Sequence, residues 1–278
     1  MMLFIERRGG CVAKGNNGNY FQHSVEIALG KHLASADSGR IHACFTHGMG
    51  PFEPCEKPAA GQTYKLLNNA LARALLPHES IEPPIVTAYR STKATLQRYP
   101  NSAELLAAIL GATQITGSIA EVKECKHAAL CKRWKGFGIR TVNASWRLQI
   151  VAGGALACPS DLAEPWLFSM DPMTYANQGW ADDAKLYGQD RKLISDALTN
   201  FVRSGQPGVA LIFVYAIRPD NRTNFWEFAD GIANDCGAAI DFLWQTHQGG
   251  NRNLSAVLSS NSALPPQWVP DGINRGRV

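Results

Sequence analysis

The sequence lacks the features that mark several large classes of protein. No run of about 18 apolar residues occurs in its 278 residues, so no transmembrane helix is predicted. The charged fraction is low at 18%, while hydrophobic residues make up 45% of the chain. This composition is typical neither of a disordered segment nor of a coiled coil. We therefore expect a compact globular protein with a large core.

Closely spaced cysteines are also missing. The seven cysteines contain no CxxC pair, whereas a zinc cluster needs tightly spaced ligands and a disulfide framework is typical of shorter, secreted chains. The histidines show no metal-ligand spacing either. We expect free thiols and no metal site.

The excess of positive charge is small. A net charge of +4 is compatible with a polyanionic partner but is far below that of a protein that coats nucleic acid. Residues 1–10 are too short and, with Glu6, Arg7 and Arg8, too charged for a signal peptide. We expect a cytoplasmic protein that does not bind membranes, and nothing in the sequence predicts its oligomeric state.

Short apolar runs alternate with helical patterns along the chain. The apolar runs predict strands, and the 3.6-residue spacing of apolar side chains predicts helices. The predicted strands are residues 40–45, 114–122, 139–142, 166–170 and 209–217, and the predicted helices are residues 19–33, 60–76, 102–112 and 184–203. Two further extended segments, 238–246 and 253–260, predict a hairpin at the edge of the sheet.

Strands separated by helices favour one class of fold. We predict an α/β protein with a doubly wound, mostly parallel sheet and helices on both faces. Residues 1–278 are interpreted as a single domain with a small helical insertion, at about residues 60–99, after the first strand.

Ligands of such sheets bind outside the carboxyl ends of the strands. After the first predicted strand, residues 46–50 contain Gly48 and Gly50, which let a ligand approach the backbone closely. The complete GxGxxG pattern of a dinucleotide site and the GKS or GKT end of a P-loop are both missing, so neither an NAD nor an ATP site is favoured.

The next two strands end in polar residues. Glu121 can accept hydrogen bonds from both hydroxyls of a ribose. Asn143 and Ser145 can hydrogen-bond the edge of an adenine. The alternative interpretation is a solvated charge and turn residues without a ligand.

Residues 171–175, with the sequence DPMTY, follow the fourth predicted strand. They resemble the DPPY motif of amino-methyltransferases, in which an acidic or amide side chain and a backbone carbonyl hold the target NH2 group while an aromatic ring stacks on the base. The resemblance implies catalytic roles for Asp171, Pro172 and Tyr175. Orienting a weak amine nucleophile works by positioning and electrostatics, and an aromatic face suits a splayed-out base.

The order of motifs over about residues 15 to 217 also resembles a known family. RlmJ-type 23S rRNA adenine-N6 methyltransferases and, more loosely, three-Cys-motif partner proteins have a GN…KH segment, a THAGAG-like turn, a YPGSP segment, an acidic strand end and then DPPY. The counterparts here are Gly18-Asn19, Gln22-His23, THGMG at 46–50, YPNS at 99–102, Glu121 and Asp171-Pro172.

The resemblance implies a class I methyltransferase that depends on S-adenosylmethionine and has a Rossmann-like fold. Its substrate would be the N6 amine of an adenine in a nucleic acid, RNA rather than DNA. The residues implied in cofactor binding are His23, Thr46, His47, Gly48, Gly50, Ser102, Glu121, Asn143 and Ser145.

Departures from the family pattern leave alternatives open. Gln22 replaces the family's lysine, Phe45 replaces an acid, Met173 replaces the second proline, and Tyr175 comes one residue late. A second hypothesis is therefore a catalytically inactive protein of this fold that binds a nucleic acid or a protein partner. A third, an NAD-type enzyme, lacks its fingerprint.

Two further features bear on a nucleic-acid substrate. Between Glu121 and Asn143 lies a basic stretch, interpreted either as a solvated helix face or as a source of phosphate contacts. Its residues are Lys123, Lys126, Lys132, Arg133, Lys135 and Arg140. Of the seven tryptophans, Trp180, in the loop after Tyr175, is the one expected to contact a substrate.

Overall fold

The structure is a computed structural model, and it describes most of the chain. The described residues are 17–35, 39–47, 87–88, 100–172, 174–175, 185–246, 250–260 and 273–277. The predicted insertion at 60–99 lies outside these ranges apart from the helical Thr87 and Ala88. Gly48, Gly50, Met173 and Trp180 also lie outside them.

Helices account for much of the described chain. They are α1 (Asn17–Ser35), α2 (Ser102–Leu110), α3 (Glu124–Trp134), α4 (Trp146–Gln149), α5 (Asp190–Arg203) and α6 (Pro219–Cys236). Helix α2 begins with a capping box, because Asn101 Oδ1 accepts from Glu104 N at 2.9 Å and Asn101 N donates to Glu104 Oε2 at 3.0 Å. Helix α6 begins with Pro219 and ends before Gly237 in the left-handed conformation.

The strands form one large sheet and a small two-stranded one. They are β1 (Ile41–Phe45), β2 (Ile115–Ala120), β3 (Ile139–Val142), β4 (Trp166–Met170), β5 (Thr174–Tyr175), β6 (Lys185–Leu186), β7 (Gly208–Ile217), β8 (Ala239–Thr246), β9 (Arg252–Ser260) and β10 (Asn274–Arg275). The large sheet has the order β10-β8-β9-β7-β4-β1-β2-β3, and β5 pairs with β6.

The sheet is doubly wound about β1. Five neighbouring strands pair in parallel, in the order β3-β2-β1-β4-β7. Their carboxyl ends therefore meet at one edge of the sheet. The order of the strands reverses between β1 and β4. In open α/β sheets this topological switch point is where ligands bind.

Apolar side chains cover both faces of the sheet. In β1, Ile41, Ala43 and Phe45 belong to the core under α1, α2 and α3, whereas Cys44 belongs to the core under α5 and α6. Successive strand residues point to opposite faces, so this alternation means that helices bury both sides. The predicted doubly wound, mostly parallel α/β fold is confirmed.

The carboxyl-terminal part of the sheet differs from the prediction in detail. Strands β8 and β9 are antiparallel neighbours as predicted, but β9 lies between β7 and β8 and is therefore not an edge strand. Its side chains from Asn253 onward are buried, as expected of a strand paired on both sides. Helix α5 begins at Asp190 and not at residue 184, because residues 185–186 form β6.

Candidate functional site

The crevice between the ends of β1 and β4 contains Thr46 and Asp171. Thr46 N donates to Ser169 O at 3.0 Å, which continues the pairing of β1 with β4 by one residue. Asp171 N lies 3.4 Å from Thr46 Oγ1, and that hydroxyl lies 2.7 Å from His47 Nδ1. The structure therefore brings Thr46 and His47, which follow the first predicted strand, together with Asp171, which follows the fourth.

Beneath this crevice lies a buried polar cluster, formed by Gln22 and Glu26 of α1, Ser102 of α2, and Ser169 and Asp171 of β4 and its end. Ser169 Oγ donates to Glu26 Oε1 at 2.5 Å, and Gln22 Nε2 donates to the same oxygen at 3.1 Å. A hydrogen bond from Ser102 also reaches Glu26. All five residues are buried, so the cluster is screened little by solvent.

Two carboxyl groups in this cluster have raised pKa values. Burial raises the pKa of Glu26 to about 6, against the hydrogen bonds from Ser169, Ser102 and Gln22, which lower it. Burial also raises the pKa of Asp171 well above its usual range, and the nearby charge of Glu26 adds to this. Perturbed carboxyls in a cleft are typical of functional sites.

Several acceptor atoms of the cluster are unsatisfied. Asp171 Oδ1, Glu26 Oε2 and Gln22 Oε1 are buried and have no hydrogen-bond partner within the described part of the chain. Leaving a buried polar atom unpaired costs about 1–3 kcal/mol. A ligand that brings N–H or O–H donors to Asp171 would remove this cost.

His23 occupies α1 beside the cluster and is fully buried. Desolvation lowers its pKa to about 3, so the imidazole is neutral near pH 7. A neutral His23 offers one donor and one acceptor to its surroundings but no positive charge to a carboxylate or a cofactor.

We expect the burial of His23 to make the protein less stable in mild acid. The pKa of His23 in the folded chain, about 3, lies below its ordinary value of 6.5, so stability is lost as the pH falls from 6.5 towards 3. From about pH 7.5 to about pH 5 the loss due to His23 is roughly 2 kcal/mol. Urea unfolding at the two pH values measures it.

A variant comparison separates the contribution of His23 from that of Glu26 and Asp171. Because the pKa values of these two carboxyl groups are raised in the folded chain, their protonation increases stability as the pH falls. His23→Gln should remove the acid-dependent loss, and His32→Gln, near the other end of the same helix, is the matched control. An unchanged pH dependence in His23→Gln would show that His23 does not titrate as proposed.

At the end of β2, Glu121 is buried and faces the same edge as Thr46. Its Oε1 accepts from Lys123 N at 2.9 Å, and its backbone N donates to Val142 O at 3.0 Å. With its amide group turned so that the nitrogen faces these carbonyls, Asn143 donates to the backbone oxygens of Glu121 at 2.9 Å and Val122 at 3.1 Å. Asn143 therefore holds the turn that carries Glu121, in addition to lying at the predicted position.

Two other predicted cofactor residues lie at this edge of the sheet. The half-buried ring of His47 lies 6.5 Å, centroid to centroid, from that of the buried Trp146. Ser145, also half-buried, directly precedes α4, which begins at Trp146. Residues from the ends of β1 and β3 therefore meet around the Trp146 ring.

The position of Tyr175 differs from the expectation of a base-stacking aromatic. Its ring is 5.8 Å from that of Phe225 and 5.3 Å from that of Phe228, and the residue is only 7% exposed. The side chain therefore packs against α6 in the core. Pro172 is buried directly after Asp171.

Sequence reasoning missed Glu26 and Ser169. Glu26 follows Gln22 by four residues, on the face of α1 that also carries the buried Val25 and Leu29. A glutamate within a buried apolar face is unusual. This was the available signal for a site residue.

An ion pair connects α4 with the start of α5. Arg147 Nε and Nη2 donate to Asp190 Oδ1 and Oδ2 at 2.8 and 2.7 Å, and Arg147 lies 4.4 Å over the Trp146 ring. Bidentate pairs of this kind are rigid. They join α4 to the start of α5.

Comparisons with known proteins give structural neighbours only. No family model matches the chain, and no curated protein matches its sequence. A protein of Legionella pneumophila strain Philadelphia 1, assigned to family model DUF519, is 15% identical with a TM-score of 0.64, over 95% of this chain and 97% of that one. This likeness shows that the two share a fold.

Two methyltransferase structures are more distant. A SAM-dependent methyltransferase of the DUF858 family from Leishmania major is 9% identical with a TM-score of 0.40, over 86% of this chain and 72% of that one. The methyltransferase domain of METTL16 is also 9% identical with a TM-score of 0.40, over 85% of this chain and 81% of that one.

Among the described residues, no helix is long and apolar enough to cross a membrane.

Proposed function

We propose that this protein is an S-adenosylmethionine-dependent methyltransferase that acts on the N6 amine of an adenine in a nucleic acid, RNA rather than DNA. The observation that carries the proposal is the position of Asp171. Its carboxyl group lies at the topological switch point, is buried, and keeps Oδ1 without a partner in the described residues.

The edge of the sheet fits the cofactor. Glu121 supplies a carboxylate for the ribose hydroxyls, one strand away from the 46–50 turn, and Asn143 and Ser145 flank the next strand end. Thr46 and His47 lie between Glu121 and Asp171 at the end of β1. The cofactor supplies an electrophilic methyl group carried on a sulfonium sulfur.

The chain's own residues position the amine. An ionised Asp171 accepts a hydrogen bond from the exocyclic N–H and so orients the nitrogen lone pair, which is the contribution expected of positioning and electrostatics. Gln22 hydrogen-bonds the side chain of Asp171 and is itself bonded to Glu26, and Thr46 Oγ1 lies 3.4 Å from the backbone nitrogen of Asp171. Because the pKa of Asp171 is raised, the carboxylate is also a basic acceptor for the proton that the amine loses.

The cofactor half of the proposal is tested by calorimetry. Purified protein should bind S-adenosylhomocysteine, and Glu121→Ala should weaken binding by about 10- to 100-fold, because a charged acceptor for two hydroxyls is lost. Glu124→Ala, at an exposed acid three residues away on α3, is the matched control and should bind as the wild type does. Absence of binding by the wild type would refute the proposal.

The second hypothesis, a catalytically inactive protein of this fold, is motivated by Tyr175 and Gln22. Tyr175 lies in the core, and Gln22 places a neutral amide between Glu26 and Asp171. Cofactor binding without methyl transfer to any nucleic acid would favour this hypothesis. Methylation that disappears in Asp171→Ala would exclude it.

A further inference from the structure

Three arginines gather where β7 and β9 reach the carboxyl edge of the sheet. Ile217, the last residue of β7, is paired with Arg252, the first of β9, and Arg218 follows directly. Arg222, one turn into α6, and Arg252 both donate to the carbonyl of Gly250. Within the described ranges none of the three arginines pairs with a carboxylate.

The strand that leads to this arginine group is locally irregular. The register of β7 against β9 shifts between Val214 and Ile217, and Ala216 has a φ of 48°, which is uncommon outside glycine. Ala216 N donates to Asn253 Oδ1 at 3.2 Å, and Asn253 is fully buried. This bulge fixes the direction in which the chain leaves the sheet towards Arg218.

The group combines positive charge with an aromatic face. Arg252 lies 4.9 Å over the half-buried ring of Trp244. Burial and the nearby charge of Arg252 lower the pKa of Arg222, which shows that the two cations are close together. Cations interleaved with an aromatic ring are the combination that binds single-stranded nucleic acid.

The distance between this arginine group and Asp171 follows from the pairing of β4 with β7. Met170 is paired with Ile212, and β7 runs on from there to Ile217, about 16 Å farther at 3.3 Å per residue. A nucleic-acid strand whose target base reaches Asp171 would carry further phosphates along this part of the sheet edge.

Only part of the basic stretch noted in the sequence lies at the edge of the sheet that carries Asp171. Helix α3 runs from the carboxyl end of β2 to the amino end of β3, so Lys123 and Lys126 lie near that edge, whereas Lys132 and Lys135 lie at the opposite one. Arg133 Nε lies 3.4 Å from the buried Glu104 Oε1 and is therefore already paired.

We propose that Arg218, Arg222 and Arg252, with Arg252 held over the ring of Trp244, bind the phosphate backbone of the nucleic-acid substrate near the target base. This inference rests on the proposed function for the identity of the substrate. It differs from that function in assigning affinity to a surface that takes no part in methyl transfer, and phosphate contacts of this kind position a substrate without reading its sequence.

The test is fluorescence anisotropy with a fluorescein-labelled single-stranded RNA of about 20 nucleotides. The double variant Arg218→Gln/Arg252→Gln should bind about tenfold more weakly, and its plot of log affinity against log salt should be shallower by about 1.4, for two lost phosphate contacts. Arg40→Gln/Arg203→Gln, two exposed arginines near the amino edge, is the charge-matched control.

Three results would overturn the inference: an affinity and salt slope of the double variant equal to those of the wild type, equal losses in the control variant, or no RNA binding by the wild type. The last result would leave an acidic protein partner as the candidate for this surface. Binding of S-adenosylhomocysteine by the same preparations tests the proposed function separately and shows that the variants are folded.

Discussion

Replacing Asp171 with alanine should reduce methyl transfer by about 100- to 1000-fold, the loss typical of removing one preorganised polar group from an active site. Binding of S-adenosylhomocysteine should be unchanged, because the proposed cofactor contacts come from other strand ends. Single-turnover transfer measures the first effect and calorimetry the second. Asp196→Ala, at an exposed aspartate of α5, is the matched control.

The protonation of Asp171 gives this prediction a second readout. Because burial and Glu26 raise its pKa, the carboxyl is protonated at low pH, and the transfer rate should rise with pH as the accepting carboxylate forms. Asp171→Asn keeps an acceptor oxygen that does not titrate, so it should lose less activity than the alanine variant, and its rate should depend less on pH. Full activity in Asp171→Ala would contradict the assigned role.

Gly117→Ala should be among the most destabilising single substitutions in the sheet. Gly117 has a φ of 125°, and a Cβ there would lie 2.0 Å from the backbone oxygen of Ala43 in β1. Strained backbone and overpacking together cost about 3–5 kcal/mol. Urea unfolding measures the loss, which should be accompanied by weaker cofactor binding because β1 and β2 carry Thr46 and Glu121.

The control for this substitution separates crowding from strain. Gly136 also has a positive φ, 85°, but a Cβ there would meet nothing within 4 Å. Gly136→Ala should cost only about 1–2 kcal/mol, the backbone contribution alone. If both variants lost the same stability, the close approach of β1 and β2 at Gly117 would not be the cause.

The strands that build the site were predictable because each is a short, continuous apolar run. Residues 139–142 and 166–170 match β3 and β4, and β1 and β2 differ from the prediction by only a few residues at their ends. Parallel strands buried on both faces have no polar alternation to confuse the pattern. Their carboxyl ends could therefore be located from the sequence alone.

The contacts between the elements could not be predicted. The apolar face of α1 indicates that Glu26 is buried, but which residues it meets there depends on how α1 packs on β4, and the sequence pattern does not define that packing. The same is true of Tyr175. The DPPY resemblance implied that its ring contacts the substrate, but Phe225 and Phe228 of α6, a helix that was not predicted, pack against the ring. Arg252 is 30 or more residues from Arg218 and Arg222 in the sequence, and it meets them only because β9 inserts beside β7.

If Asp171 presents a nucleic-acid amine for methylation, the product identifies the amine. The wild-type protein is incubated with S-adenosylmethionine labelled in the methyl group and with RNA or DNA, and the labelled nucleoside is identified by mass spectrometry. We expect N6-methyladenosine in RNA, and its loss in Asp171→Ala. Cofactor binding with no label in any nucleoside, or label on a ring carbon or a ribose, would contradict it.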